Sequence, residues 1–195
     1  MTSTVGLLLA AGAGRRMGGP KALLRLRPDG PTRVECAIGE LLAAGLERVV
    51  VVVGASAEHS GPIARAAGAE VVHAPTWEEG MGASLRAGLG HLLTEEPAPS
   101  CVLVTLVDLP DVDDRVHRRV LAEATSAEVL ARAAYHGRPG HPVLLGREHW
   151  AEVLQGAVGD RGARAHLGSH TVCLVECGDL ASGRDVDTSA DLDTR

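Results

Sequence analysis

The sequence predicts an α/β fold, a doubly wound, mostly parallel sheet with helices on both faces. Three observations carry this prediction. Short apolar or β-branched runs alternate with amphipathic stretches of helical length, the order that forces parallel pairing through right-handed crossovers. The run VVVVVG at 49–54 has no polar alternation, as expected of a central strand covered on both faces. The first apolar run leads directly into a loop of Gly, Arg and Lys, the place where a strand of such a sheet hands over to a ligand site.

Taken in order, strands are expected at 5–10, 49–53, 71–73, 101–107, 142–145 and 172–176. TRVECAIGELLAAGL supplies the first helix and ends at Gly45, a suitable C-cap. SAEHSGPIARAAGA, MGASLRAGLGHLLTEE and DDRVHRRVLAEAT follow as helices between strands, and REHWAEVLQG and DRGARAHLG come later. EEPAPS at 95–100 reads as a surface loop. The region 129–180 is more irregular and is expected to carry a second substrate. No repeat or long linker interrupts the chain, so one domain spanning 1–195 is expected.

The 195 residues suffice for one substantial core. A formal net charge of −6 argues against a large basic surface for nucleic acid, while leaving room for a local cationic site. No apolar run approaches the roughly 18 residues of a membrane span. The basic residues follow the first apolar run, the reverse of a signal peptide, so a cytoplasmic location is expected. Cys173 and Cys177 lie in an apolar stretch without His at zinc-finger spacing and read as buried reduced thiols. Aromatic residues make up 2% of the chain, too few for a protein that holds bases mainly by stacking.

The glycine loop defines the chemistry. A P-loop requires Ser or Thr after its Lys, but Ala22 follows Lys21. A dinucleotide fingerprint requires G-x-G-x-x-G, but Gly12 and Gly14 are followed by Gly18, one residue late. What remains is a strand, LAAG, then R-M-G and Lys21. Glycines let backbone amides approach phosphate oxygens, and Arg16 and Lys21 add full charges for a triphosphate and its pyrophosphate leaving group. A tight turn with solvated charges is the competing account.

LLLAAGAGRRMGGPKAL at 7–23 resembles the signature of the MobA-like nucleotidyltransferases, most closely their molybdenum cofactor cytidylyltransferase branch. EEGMGASLRAGL at 78–89 is similar to that family's second nucleotide-contacting segment, and VTLVDLPDV at 104–112 to its metal-binding segment. GRPGHPVLL at 137–145, GDRGARAHL at 159–167 and DVDTSADL at 185–192 are similar to later segments. The resemblance implies a Rossmann-like nucleotidyltransferase fold, with a nucleotide-binding half at 1–128 and an acceptor half plus metal segment at 129–195.

It also implies the site. Leu9, Ala10, Ala11, Gly12, Gly14, Arg16, Lys21, Gly80 and Ser84 would hold the nucleotide, with Arg16, Lys21 and Asp108 carrying catalysis. Asp108 ends an apolar strand, where a carboxylate facing the loop suits Mg2+, and the family pattern makes it the principal ligand. An N-cap role toward the helix near Asp113 is the alternative. Asp187 is implied as second ligand; Thr188 or Ser189 beside it suits a helix cap, a compatible role. His141, between Gly140 and Pro142 in a constrained turn, is implied to lie near the acceptor, as are Asp160 and Arg164, though a structural His and a solvated helix face are fair readings too.

In the resembling families LAAG accompanies CTP and LAGG accompanies GTP, so Ala11 points to CTP. The implied acceptor is molybdopterin, with a molybdoenzyme as downstream partner and neither nucleic acid nor membrane. Three rivals stand beside this reading: transfer to a sugar or alcohol phosphate, an NAD(P)H-dependent reductase on the same fold, and a non-catalytic molybdenum cofactor chaperone.

Overall fold

A computed structural model describes residues 3–185. Seven strands form one sheet in the order β3-β2-β1-β4-β6-β5-β7. They are β1 (Thr4–Leu9), β2 (Val49–Val53), β3 (Glu70–His73), β4 (Cys101–Leu106), β5 (Leu130–Tyr135), β6 (Arg138–Gly146) and β7 (Cys173–Glu176). Pairing is parallel from β3 through β4 and between β5 and β7; β6 alone runs antiparallel to both of its neighbours. Among the described residues the α-helices are α1 (Arg33–Ala43), α2 (Ala57–Ala66), α3 (Met81–Leu93), α4 (Asp114–Leu121), α5 (Trp150–Gly156) and α6 (Arg164–Ser169).

The sheet is covered on both faces because its central strands are apolar throughout. All five valines of β2 are buried. Alternate residues of each strand feed opposite clusters. Leu8, Val51 and Leu103 pack with Ile38 and Leu41 of α1 and Val116 and Val120 of α4. Leu7, Val50 and Val102 pack with Leu89 and Leu92 of α3 and Trp150 and Val153 of α5. Helix α1 starts with a capping box: Thr32 Oγ1 accepts from the Glu35 amide, and the Glu35 carboxylate accepts from the Thr32 amide at 2.7 Å. Gly45, at φ 103°, follows the last turn of α1 in the left-handed conformation its sequence position suggests. Asp113, not Asp108, caps α4, accepting from the Arg115 amide at 3.0 Å.

The second half differs from the sequence reading in three places. LARAAY forms β5, which the run pattern does not reveal. Strand β6 starts at Arg138, so His141 lies inside a strand and not in a turn. The turn falls at His136 and Gly137, both at positive φ, the geometry of a two-residue hairpin loop. Glu176 of β7 braces that loop by accepting from the amides of His136 and Gly137 at 2.8 and 2.9 Å. Finally, Cys173 is exposed because β7 is an edge strand, while Cys177 is buried as expected; both are free thiols. Among the described residues, no helix is long and apolar enough to cross a membrane.

Candidate active site

The strand order turns between β1 and β4, and the crevice at their carboxyl ends is where ligands of such sheets bind. A cavity of about 480 Å³ opens there. Its walls include Leu9, Ala11, Gly12, Gly14, Arg16 and Lys21 from the first loop, Gly80 and Ser84 from the start of α3, and Asp108 after β4.

The loop is shaped by its glycines. Gly14 sits at φ 59°, and a Cβ there would lie 1.9 Å from the Gly19 carbonyl oxygen. The same Gly14 carbonyl accepts from the amides of Met17 and Gly19 at 2.8 and 3.3 Å, folding the segment back on itself. Two single turns of 3-10 helix, Arg15–Met17 and Lys21–Leu23, replace the long helix that a dinucleotide fold would open here.

Lys21 Nζ donates to Asp108 Oδ2 at 2.7 Å, joining the loop to the end of β4. The two side chains are only 17% and 20% exposed. The other carboxylate oxygen, Oδ1, is buried with no hydrogen-bond partner among the described residues. A buried anionic oxygen left unpaired on a cavity wall fits a hard divalent cation, which takes one or two carboxylates and completes its shell with phosphates and water. Asp187 lies outside the described residues. Asp185 is exposed and lines a separate cavity with Arg138 and Arg184.

The segment 78–89 contributes by close approach. Gly80 has φ 106°, and a Cβ on it would meet Asp160 Oδ1 at 2.4 Å. A Cβ on Gly82 would meet the Ala157 carbonyl oxygen at 2.7 Å. These glycines therefore let residues 157–160 press against the start of α3. Arg86 reinforces that junction, donating to the Ala157 carbonyl and to Glu79 Oε2, so it serves the scaffold. Ala10 likewise faces the core beside Leu8 and is not on the cavity wall; its amide donates to the Val52 carbonyl at 2.9 Å.

A second cavity, of about 100 Å³, shares Leu9, Met81 and Asp160 with the first. It brings His141, Asp160 and Arg164 together and adds Arg132 of β5. Arg132 donates from Nε and Nη2 to the Gly140 carbonyl at 3.1 and 3.0 Å. Burial, then the charge of Arg164, lowers its pKa. Burial, then Arg132, pushes His141 down to about 4, so its imidazole is neutral near pH 7. Two guanidinium groups that repel each other across a small cavity are arranged for an anion. The sequence reading missed Arg132 because β5 itself was not visible; its signal was a lone charge within LARAAY. It also missed Trp77, which lines the first cavity just ahead of Gly80. A Cβ on Gly54 would lie 2.6 Å from the Trp77 ring and 2.8 Å from the Ala11 methyl, so these three residues form one wall.

Comparison with known proteins agrees with this fold. The family described as MobA-like NTP transferase domain matches residues 6–173. Nicotine blue oxidoreductase of Paenarthrobacter nicotinovorans is 37% identical over 193 residues, covering 94% of this chain and 91% of that protein. Rv0371c of Mycobacterium tuberculosis H37Rv, solved in complex with manganese, is 26% identical with a TM-score of 0.70, over 95% of this chain and 94% of that one. A nucleotidyl transferase from Methanothermobacter has a TM-score of 0.79 at 22% identity, over 96% and 93% of the two chains, and shares the fold.

Proposed function

The chain belongs to the MobA-like NTP transferase family, and from that premise we propose that it transfers CMP from CTP to the phosphate of molybdopterin in the cytoplasm, releasing pyrophosphate. The observation that carries the reading is Asp108, one oxygen held by Lys21 and the other buried and unpaired, directly across from the glycine loop.

The acceptor phosphate attacks the α-phosphorus of CTP, a P–O bond forms, and the bond to the β-phosphate breaks in line. No protein nucleophile is required, so catalysis rests on positioning and charge. Loop amides and Arg16 hold the triphosphate, and Lys21 lies where the leaving pyrophosphate gains charge. Asp108, with Asp187, would hold Mg2+, which when bound neutralises charge on the reacting and leaving oxygens. Arg132 and Arg164 hold the acceptor phosphate, and neutral His141 hydrogen-bonds it without adding a third charge. The shared wall of Leu9, Met81 and Asp160 sets the two substrates side by side. Ala11, packed against Trp77 through Gly54, borders the base and favours cytosine over guanine.

The test is pyrophosphate release from CTP and from GTP in separate reactions, with Mg2+ and molybdenum-loaded molybdopterin. Release with CTP alone supports the reading; release with GTP alone keeps the transfer and removes the role of Ala11. No release with either nucleotide overturns it.

One observation favours a second reading. The 37% identity to nicotine blue oxidoreductase extends over nearly the whole chain. Oxidation of NADPH or NADH in the presence of nicotine blue, without pyrophosphate release, would establish that alternative.

A further inference from the structure

Away from both cavities, His149, His166 and His170 crowd together where the 3-10 turn Arg147–His149 meets α6. One ring nitrogen of each lies within 4.8 Å of one from each of the others. His166 is buried, while His149 is half-buried and His170 is exposed. The rings of His166 and His170 stack at 4.0 Å, and His149 meets both edge-on. Glu152 of α5 stands over the group, its Oε2 3.3 Å from His166 Nδ1 and 3.9 Å from His170 Nε2.

Backbone carbonyls take one nitrogen of two of the rings and leave the other for a ligand. His149 Nε2 lies 2.9 Å from the Glu128 carbonyl, so that nitrogen carries the proton and Nδ1 carries a lone pair. His170 Nδ1 lies 2.9 Å from the His166 carbonyl, so its Nε2 carries a lone pair. His166 Nδ1 faces the Glu152 carboxylate at 3.3 Å, and its Nε2 faces His149 Nδ1 at 3.0 Å. With the His166 proton on Nε2 this contact is a hydrogen bond to His149 Nδ1; with the proton on Nδ1, toward Glu152, the two nitrogens face each other with lone pairs. In that second tautomer three lone pairs converge, the arrangement a cation between them would use. In it each ring also gives its other N–H to a carbonyl or carboxylate, the support that metal-ligating histidines receive.

We propose that His149, His166 and His170 form a transition-metal site, suited to Zn2+, with Glu152 as outer support or fourth ligand. At a Zn–N distance of about 2.0–2.1 Å, tetrahedral ligand nitrogens lie about 3.4 Å apart. The closest pair is already at 3.0 Å, and exposed His170 has the freedom to close the remaining gap. The other ligand-like group, Glu70, His91 and Glu95, differs in kind: the Arg48 guanidinium binds both carboxylates at 2.5–2.6 Å and supplies its cation. The proposed site is separate from the one around Asp108. It would pin α6, whose first residue Arg164 and later Leu167 line the second cavity.

The experiment is a Zn2+ titration of the untagged full chain against a chromophoric chelator, with Co2+ as a spectroscopic probe of tetrahedral nitrogen ligation. The expected result is one equivalent bound by wild type and by Asp108→Asn. His149→Ala and His170→Ala, with the fold of each checked by circular dichroism, should lose binding, and Glu152→Gln should weaken it by about 10–100-fold. Absence of stoichiometric binding by wild type would overturn the proposal. So would binding that persists in both histidine variants, or that disappears only in Asp108→Asn.

Discussion

Replacing Asp108 by Asn preserves shape and removes one charge. Two consequences are separable. The Lys21 ammonium keeps a neutral acceptor in place of a carboxylate 2.7 Å away, with both side chains about four-fifths buried. A charge-assisted hydrogen bond of this kind contributes about 1.5–3 kcal/mol, and the retained neutral bond recovers part of that, leaving a loss of about 1–2 kcal/mol. For a domain of this length the thermal midpoint should fall by about 2–8 °C, so the protein stays folded at 25 °C. Catalysis should suffer more. The buried Oδ1 is the anionic oxygen available to a divalent cation, and one preorganised electrostatic contact in a transition state is worth about 3–4 kcal/mol. Pyrophosphate release under saturating CTP should therefore drop by at least about 10²–10³-fold. A rate within tenfold of wild type, with the midpoint lowered as expected, would refute the assignment of Asp108 and the cation-based reading of its unpaired oxygen.

Gly14→Ala places a methyl 1.9 Å from the Gly19 carbonyl oxygen at a backbone angle of φ 59°. Nucleotide affinity by calorimetry should fall, with a stability loss of about 1–3 kcal/mol; unchanged affinity would detach the loop from the nucleotide. Arg132→Ala should raise the KM for the acceptor well above any change in the KM for CTP, and equal increases would remove Arg132 from the acceptor side. His117, 1% exposed in α4, has its pKa pushed down to about 4 by burial. Its folded pKa lies below the unfolded value near 6.5, so the stabilising neutral form is fully present above that pH. The stability is lost as pH falls from about 6.5 to 4, by about 3 kcal/mol. His117→Leu should flatten that part of the urea-unfolding profile; a slope equal to wild type would place the titration elsewhere.

How much was legible in the sequence follows from what each element relies on. β1 to β4 and α1 to α4 announce themselves through apolar runs and amphipathic periods, because burial on two faces leaves little room for polar residues in VVVVV or CVLVTL. β5 escapes because its Ala and Arg residues have weak strand preference and gain their place from neighbours. β6 is masked at its start by Pro139, Gly140 and Pro142, residues that speak against a strand. The register shift between Arg132 and Ala134 accommodates this irregular part of the pairing. The site shows the same division. Gly14, Lys21 and Asp108 stand next to strand ends and could be read from local order, whereas Arg132 and Trp77 reach their cavities only through tertiary packing. Ala10 differs from its neighbours, since the strand period sends its methyl to the core while Leu9 and Ala11 line the cavity.

The reversed strand explains why one sheet can serve two substrates. In a wholly parallel sheet, every strand would present only its carboxyl end at the crevice beside Asp108. β6 runs the other way, with Val143 opposite Val104 of β4. Continuing that register places His141 level with Leu106, so the amino end of β6 arrives where the carboxyl end of β4 leaves. The hairpin with β5 then brings Arg132 to the same level, opposite Val143. The nucleotide loop after β1 and His141 on the reversed strand thus approach one crevice from opposite chain directions, with Leu9, Met81 and Asp160 shared between the two cavities. Because Asp160 touches both cavities and is pressed against Gly80, filling either one acts on the same contact. Asp160→Ala should therefore shift the KM values for nucleotide and acceptor together, and a change confined to one of them would show that the two cavities act independently.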